Sequence, residues 1–194
     1  MNQRAAVALS RSGAILVAEI DNPPVNALSN AVRSGLLAAL DALESDAQAR
    51  ALVIAARGGL FSGGADVTEF GPAMRQPLLG EVIERLDRAG KLVVAAIHGS
   101  ALGGGLELAL ACNARIAAED AKFALPEVNL GILPGSGGIV RLPRLIGIGP
   151  ALEMIAEGRR IDAGKALALG LVDRIAEGEL LPAAIAFAVE LGDA

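Results

Sequence analysis

Two short apolar runs, ALVIAA at Ala51–Ala56 and KLVVAAI at 91–97, each pass straight into a glycine-rich stretch. A run with no polar face reads as a strand buried on both sides. Such strands belong to a parallel sheet, whose members are joined by right-handed crossovers. Loops at the C-terminal ends of such strands are where α/β folds place ligands. The chain therefore reads as α/β, with its chemistry expected in the two glycine-rich stretches.

The remaining pattern agrees with that frame. Residues 14–20 form a β-rich run that stops at Asn22-Pro23-Pro24. Ser29 or Asn30 then caps a helix whose apolar positions Val32, Leu36, Leu40 and Leu43 recur at helical spacing. Pro72 and Pro77 bracket a loose segment, and a helix is expected over 79–88. Another is expected from Gly104 to Cys112, followed by strands at Ala114–Ala117 and Lys122–Ala124, with Pro126-Glu127 ending the second. The last third reads as mostly helical. Helices are expected from 135–138 toward Pro143, over 150–157, from a cap at Asp162 to a stop at Gly170, and from Pro182 to the end, with a strand at 171–175.

Composition removes several classes of function. The chain has 194 residues, 53% of them hydrophobic, enough for one domain with a full core. A net charge of −5 and the absence of Trp and Tyr argue against a nucleic-acid surface built on basic patches and stacked bases. One Cys and one His exclude a disulfide framework and a zinc site of several thiolates and imidazoles. No apolar run is long enough to span a membrane, and no targeting segment stands out, so a cytoplasmic location is expected. His98 reads as a structural hydrogen-bonder, because no Ser or Cys nucleophile motif accompanies it, and Cys112 as core.

The two loops are Phe61-Ser-Gly-Gly-Ala-Asp-Val67 and Gly99-Ser-Ala-Leu-Gly-Gly-Gly-Leu-Glu107. Glycines let backbone N–H groups approach a ligand closely, and the second loop opens a helix N-terminus, which carries partial positive charge. One N–H from each loop suits a developing oxyanion, although tight turns explain glycine content equally well. Glu107 is sharper. It lies in an all-apolar helix, which must be buried, and it follows Gly104 by three positions, on the same face. Glu127, at a strand end, reads alone as an exposed turn carboxylate, but two carboxyls in a dry pocket can act as acid and base.

The string 96–112 (AIHGSALGGGLELALAC), followed by 123–138 (FALPEVNLGILPGSGG), resembles the crotonase, or enoyl-CoA hydratase/isomerase, family. Phe61–Val67 resembles its FxxGAD loop, and 22–28 (NPPVNAL) its early coenzyme A-contacting segment. Leu142-Pro-Arg-Leu-Ile-Gly147 and 166–173 (ALALGLVD) also fit. The details are most similar to the hydratase/isomerase portion of multifunctional fatty-acid β-oxidation enzymes.

The resemblance implies a single crotonase-like domain over 1–194, with a (ββα)n spiral core at about 7–175 and the start of a C-terminal helical region at 176–194. It implies an oxyanion hole from the N–H groups of Ala65 and Gly104, and catalysis by Glu107 and Glu127. It places coenzyme A contacts at Pro24, Val25, Ala27, Gly64, Asp66, Val67 and Thr68. The expected reaction is hydration of a 2-enoyl-CoA to a 3-hydroxyacyl-CoA. Δ3-Δ2 isomerisation and non-catalytic acyl-CoA binding are the alternatives. No metal or cofactor is expected, the thioester being the substrate. Expected partners are a homo-oligomer or a dehydrogenase portion. The chain departs from the family at Thr68, where a basic residue is frequent, and at Ile139-Val140, which replaces a more polar pair. It also stops in the first of the helices that normally cover the site, so apolar surface is expected on that side.

Overall fold

β1 (Val7–Ser12) and β2 (Ile15–Ile20) form an antiparallel hairpin closed by Gly13 and Ala14. β1 was not expected from sequence. It is an edge strand with mostly exposed side chains, so no apolar run marks it. The computed structural model describes residues 5–71 and 75–193, and Pro72 lies outside them.

From β2 the chain runs through α1 (Asn30–Ser45), β3 (Ala51–Ala56), α2 (Leu79–Asp87) and β4 (Leu92–Ile97). It continues through β5 (Ser100–Leu102), α3 (Gly104–Ala111), β6 (Ala114–Ala117), β7 (Lys122–Ala124) and a 3-10 helix at Pro126–Leu130. The last third comprises α4 (Gly138–Ile146), α5 (Ile148–Ala156), β8 (Ile161–Asp162), α6 (Ala163–Leu169), β9 (Arg174–Ile175) and α7 (Leu180–Asp193). The main sheet has the order β1-β2-β3-β4-β6-β9, with every pairing after the first parallel. A small sheet, β5-β7-β8, stands apart from it.

Alternation along the strands feeds two cores. Leu16, Ala18 and Ile20 of β2 pack with Leu52 and Ile54 of β3 against α1, α2 and α3. Ile15, Val17, Val53, Val94 and Ile116 point the other way and meet Ala184, Phe187 and Ala188 of α7. Both faces are covered, which is why the strand sequences carry no polar alternation. The core thus extends beyond residue 175, and α7 seals the far side of the sheet. Exposed apolar side chains include Leu130, Leu133, Ile139, Val140, Ile148 and Leu152, and on α7 itself Val189 and Leu191.

Local signals worked where a side chain satisfies a backbone group. Ser29 caps α1 by accepting the Val32 N–H, and Asp162 caps α6 by accepting the Lys165 N–H at 2.8 Å. Other boundaries shifted. Residues 100–102 form β5 rather than loop, α4 begins at Gly138, and the strand expected at 171–175 shrinks to β9. α7 begins at Leu180, with Pro182 in its first turn, where N–H groups have no intrahelical acceptor. Residues after β7 form a 3-10 helix instead of a simple turn, and this change repositions Glu127.

Candidate active site

The loop after β3 and the start of α3 lie against each other. A Cβ built on Gly64 would come within 2.9 Å of the Leu102 carbonyl oxygen and 3.4 Å of the Gly104 nitrogen. Gly64 also has φ +104°, so only glycine suits this approach. The Gly64 carbonyl accepts the Leu28 N–H at 2.8 Å. The N–H of Ala65 belongs to the same trans peptide and therefore points away from Leu28. In the same way the Gly103 carbonyl accepts the Glu107 N–H at 3.0 Å, so the Gly104 N–H points out of the helix start. Neither N–H finds an acceptor among the described residues. Ala65 and Gly104 line one cavity of about 520 Å³.

Glu107 sits one turn into α3, a helix buried at every position. Its Oε1 accepts the Ser136 N–H at 2.7 Å, from the turn before α4, and the Gly138 N–H at 2.8 Å, from the first residue of α4. Burial raises its pKa above the ordinary value, and these two amides and the nearby Arg141 offset only part of that rise. Arg141 is itself ion-paired with Asp87 of α2.

Glu127 enters from the 3-10 helix at Pro126–Leu130 and is half-buried, not an exposed turn carboxylate. Its Oε2 is buried without a hydrogen-bond partner among the described residues. Burial raises its pKa, its own N–H lowers it, and the charge of Glu107 raises it again. Both carboxyls line the same cavity as the two amides. Both carboxyls hold their protons above the ordinary glutamate range, but their partners differ: two backbone amides donate to Glu107, whereas Glu127 Oε2 has none among the described residues.

Of the residues expected to contact coenzyme A, Asp66 lines the cavity, and its side chain accepts the Thr68 N–H at 3.0 Å and the Thr68 hydroxyl at 2.7 Å. The others do not line the cavity: Pro24, Val25, Val67 and Thr68 are exposed, Ala27 is half-buried and Gly64 is buried. Apolar walls come from Leu28, Phe70, Leu78, Leu79, Ile132 and Leu133. His98 contacts the Gly58 carbonyl at 3.0 Å, and Cys112 is buried with its thiol pushed up to about 12. Among the described residues no three His, Cys, Asp or Glu side chains group as metal ligands. No helix there is long and apolar enough to cross a membrane.

Sequence reasoning missed Asn26 and Arg33. Asn26, buried at φ +48°, donates to the Arg57 and Leu60 carbonyls at 2.7 and 2.8 Å and so stitches segment 22–28 to the Ala65 loop. Arg33 lines the cavity from the buried face of α1. The signal was available: Arg33 precedes Leu36 and Leu40 by three and seven positions, so it shares their apolar stripe.

Residues 10–194 match the enoyl-CoA hydratase/isomerase family. The chain belongs to this family, the crotonases. It is 46% identical over 197 residues to a probable enoyl-CoA hydratase of Bacillus subtilis, with 97% of this chain and 76% of that protein covered. It is 48% identical over 182 residues to a peroxisomal bifunctional enzyme of Danio rerio, covering 94% of this chain and 25% of that protein. This crotonase chain therefore spans about a quarter of the length of that bifunctional relative. DspI of Pseudomonas aeruginosa superimposes with a TM-score of 0.91 at 35% identity, over 100% of this chain and 77% of that one. An enoyl-CoA hydratase from Bacillus anthracis gives 0.85 at 34% identity, over 97% and 75%. The crotonase-like fold expected from the glycine-rich strings is thus the fold observed.

Proposed function

We propose that the chain is an enoyl-CoA hydratase of fatty-acid β-oxidation. The observation that carries this reading is two acceptorless amides and two unlike carboxyls around one cavity. Attack of water at C3 of a 2-enoyl thioester pushes charge onto the thioester oxygen. The Ala65 and Gly104 N–H groups are the donors for that oxygen, and one such donor is typically worth about 10²–10³ in rate. Glu107, in its ionised form and hydrogen-bonded to the Ser136 and Gly138 amides, takes a proton from the water. Glu127, holding a proton, delivers it to C2. The sum is water added across the double bond, with the new hydroxyl at C3. Both glutamates are then returned to their starting states by proton exchange with solvent.

The segment 22–28 and the loop 64–68 reach the cavity at Leu28, Ala65 and Asp66, which supports reading them as the seat of coenzyme A, through Pro24, Val25, Ala27, Gly64, Asp66, Val67 and Thr68. The reaction asks for no cofactor beyond the thioester substrate. Residues 1–194 are read as a single domain. Exposed apolar side chains such as Leu130, Ile148 and Leu152 support association with another copy or a dehydrogenase portion. A cytoplasmic location fits the Bacillus relative, while others are named peroxisomal.

The deciding assay adds protein to crotonyl-CoA and follows loss of the conjugated absorbance, beside a 3-enoyl thioester. Hydration of the first is expected. Conversion only of the 3-enoyl substrate to a 2-enoyl product would assign isomerase activity instead. Binding without turnover would make the chain an acyl-CoA carrier.

A further inference from the structure

Arg33 is 6% exposed, and its guanidinium is almost fully committed. Nη1 donates to the Leu28 carbonyl at 2.6 Å, Nε to the Pro77 carbonyl at 2.6 Å, and Nη2 to the Arg75 carbonyl at 3.0 Å and Glu69 Oε2 at 2.8 Å. The second Glu69 oxygen accepts the Asn30 N–H at 2.8 Å, at the first residue of α1. A buried guanidinium is costly unless paired and hydrogen-bonded, and this one is paired with Glu69 and makes four hydrogen bonds.

Its partners converge on one peptide. Leu28, whose carbonyl Arg33 holds, uses its N–H to hold the Gly64 carbonyl and forms a parallel bridge with Ala65. The Gly64 carbonyl and the Ala65 N–H are opposite ends of a single planar unit. Glu69 lies four positions beyond Ala65, so the arginine grips the loop from both sides. Anchoring the carbonyl end therefore aims the N–H end.

We propose that Arg33 is a positioning residue, which fixes the peptide between Gly64 and Ala65 so that the Ala65 N–H meets the thioester carbonyl. The inference rests on the hydratase reading above. Arg33 acts through Leu28 and touches no reacting atom. A donor displaced by a fraction of an ångström loses transition-state stabilisation with little change in ground-state binding.

The test compares wild type with Arg33→Lys and Glu69→Gln. Thermal melting reports folding, and crotonyl-CoA gives kcat and KM. The infrared carbonyl stretch of bound, thioester-labelled butyryl-CoA reports polarisation by the two amides. For Arg33→Lys, kcat is expected to fall about tenfold or more, and the affinity for butyryl-CoA to change less than about threefold. The carbonyl band should move back toward its position in free butyryl-CoA. Glu69→Gln should move the band the same way, by less. A band unmoved in both variants overturns the proposal, whatever happens to kcat. Should Arg33→Lys fail to fold, the band in Glu69→Gln alone decides by the same criterion. Wild type that polarises butyryl-CoA but hydrates no enoyl thioester sinks the hydratase reading, and the band still judges Arg33. Wild type with no lowered band sinks both.

Discussion

Glu127 Oε1 lies against Gly103: a Cβ on that glycine would come within 3.1 Å of the oxygen. Gly103 also has φ +51° and ψ −125°, where side chains are strained. The residue that opens α3 therefore also leaves room for the second carboxyl. Gly103→Ala is expected to destabilise the fold by about 1–3 kcal/mol and to displace Glu127. Urea melts and crotonyl-CoA turnover check both effects. Wild-type values for the pair would mean that the alanine is accommodated without moving the carboxyl.

Glu127→Gln separates catalysis from stability. Loss of a general acid typically costs about 10²–10⁴ in rate. The same change removes a carboxylate whose buried oxygen has no partner among the described residues, so stability at neutral pH should rise. The sign follows from proton binding. A folded-state pKa above the unfolded value means that the native chain binds more protons. The contribution to stability is then full below about 4.5, the ordinary value, and is lost as pH rises through the raised folded value. The melting temperature of the variant should exceed that of wild type by more at pH 8 than at pH 4. An equal gap at both pH values counts against a raised Glu127.

The rate should show the same pair. Hydration in the proposed form needs Glu107 ionised and Glu127 protonated. Both groups hold their protons above the ordinary glutamate range, chiefly because they are buried. The profile of kcat/KM against pH is expected to be bell-shaped, with its acid limb above the ordinary glutamate range. The apparent values belong to the coupled pair. A rate constant flat from pH 5 to 9 would remove the acid–base roles.

Ala65→Pro deletes one N–H from the proposed oxyanion hole. Turnover should drop by about 10²–10³. Affinity for butyryl-CoA, measured by calorimetry, should change far less. Equal losses in both would assign Ala65 to binding alone.

Much of this was legible in the chain because burial writes itself into sequence. ALVIAA and KLVVAAI are covered on both sides, so they lack polar residues and could be placed without a structure. Glu107 stood out because nothing polar surrounds it. Glu127 did not, because its burial comes from the 3-10 helix after Pro126 and from residues distant in sequence. β1 escaped because an edge strand with exposed side chains has no apolar signature. Arg33 was hidden by its charge, which reads as surface until its carbonyl partners are seen. The pairing of the two loops was suggested by their glycines and their place after buried strands, and the family resemblance implied Ala65 and Gly104 as the donors. Only coordinates show how the 64–65 and 103–104 peptides face the cavity.

Glu107 is gripped from the first residues of α4, the helix that also presents Ile139 and Val140 to the outside. Tilting that helix away withdraws two donors from the carboxylate at once and strengthens its hold on a proton. The acidity of that carboxyl is thereby tied to how an outer helix is seated against α3.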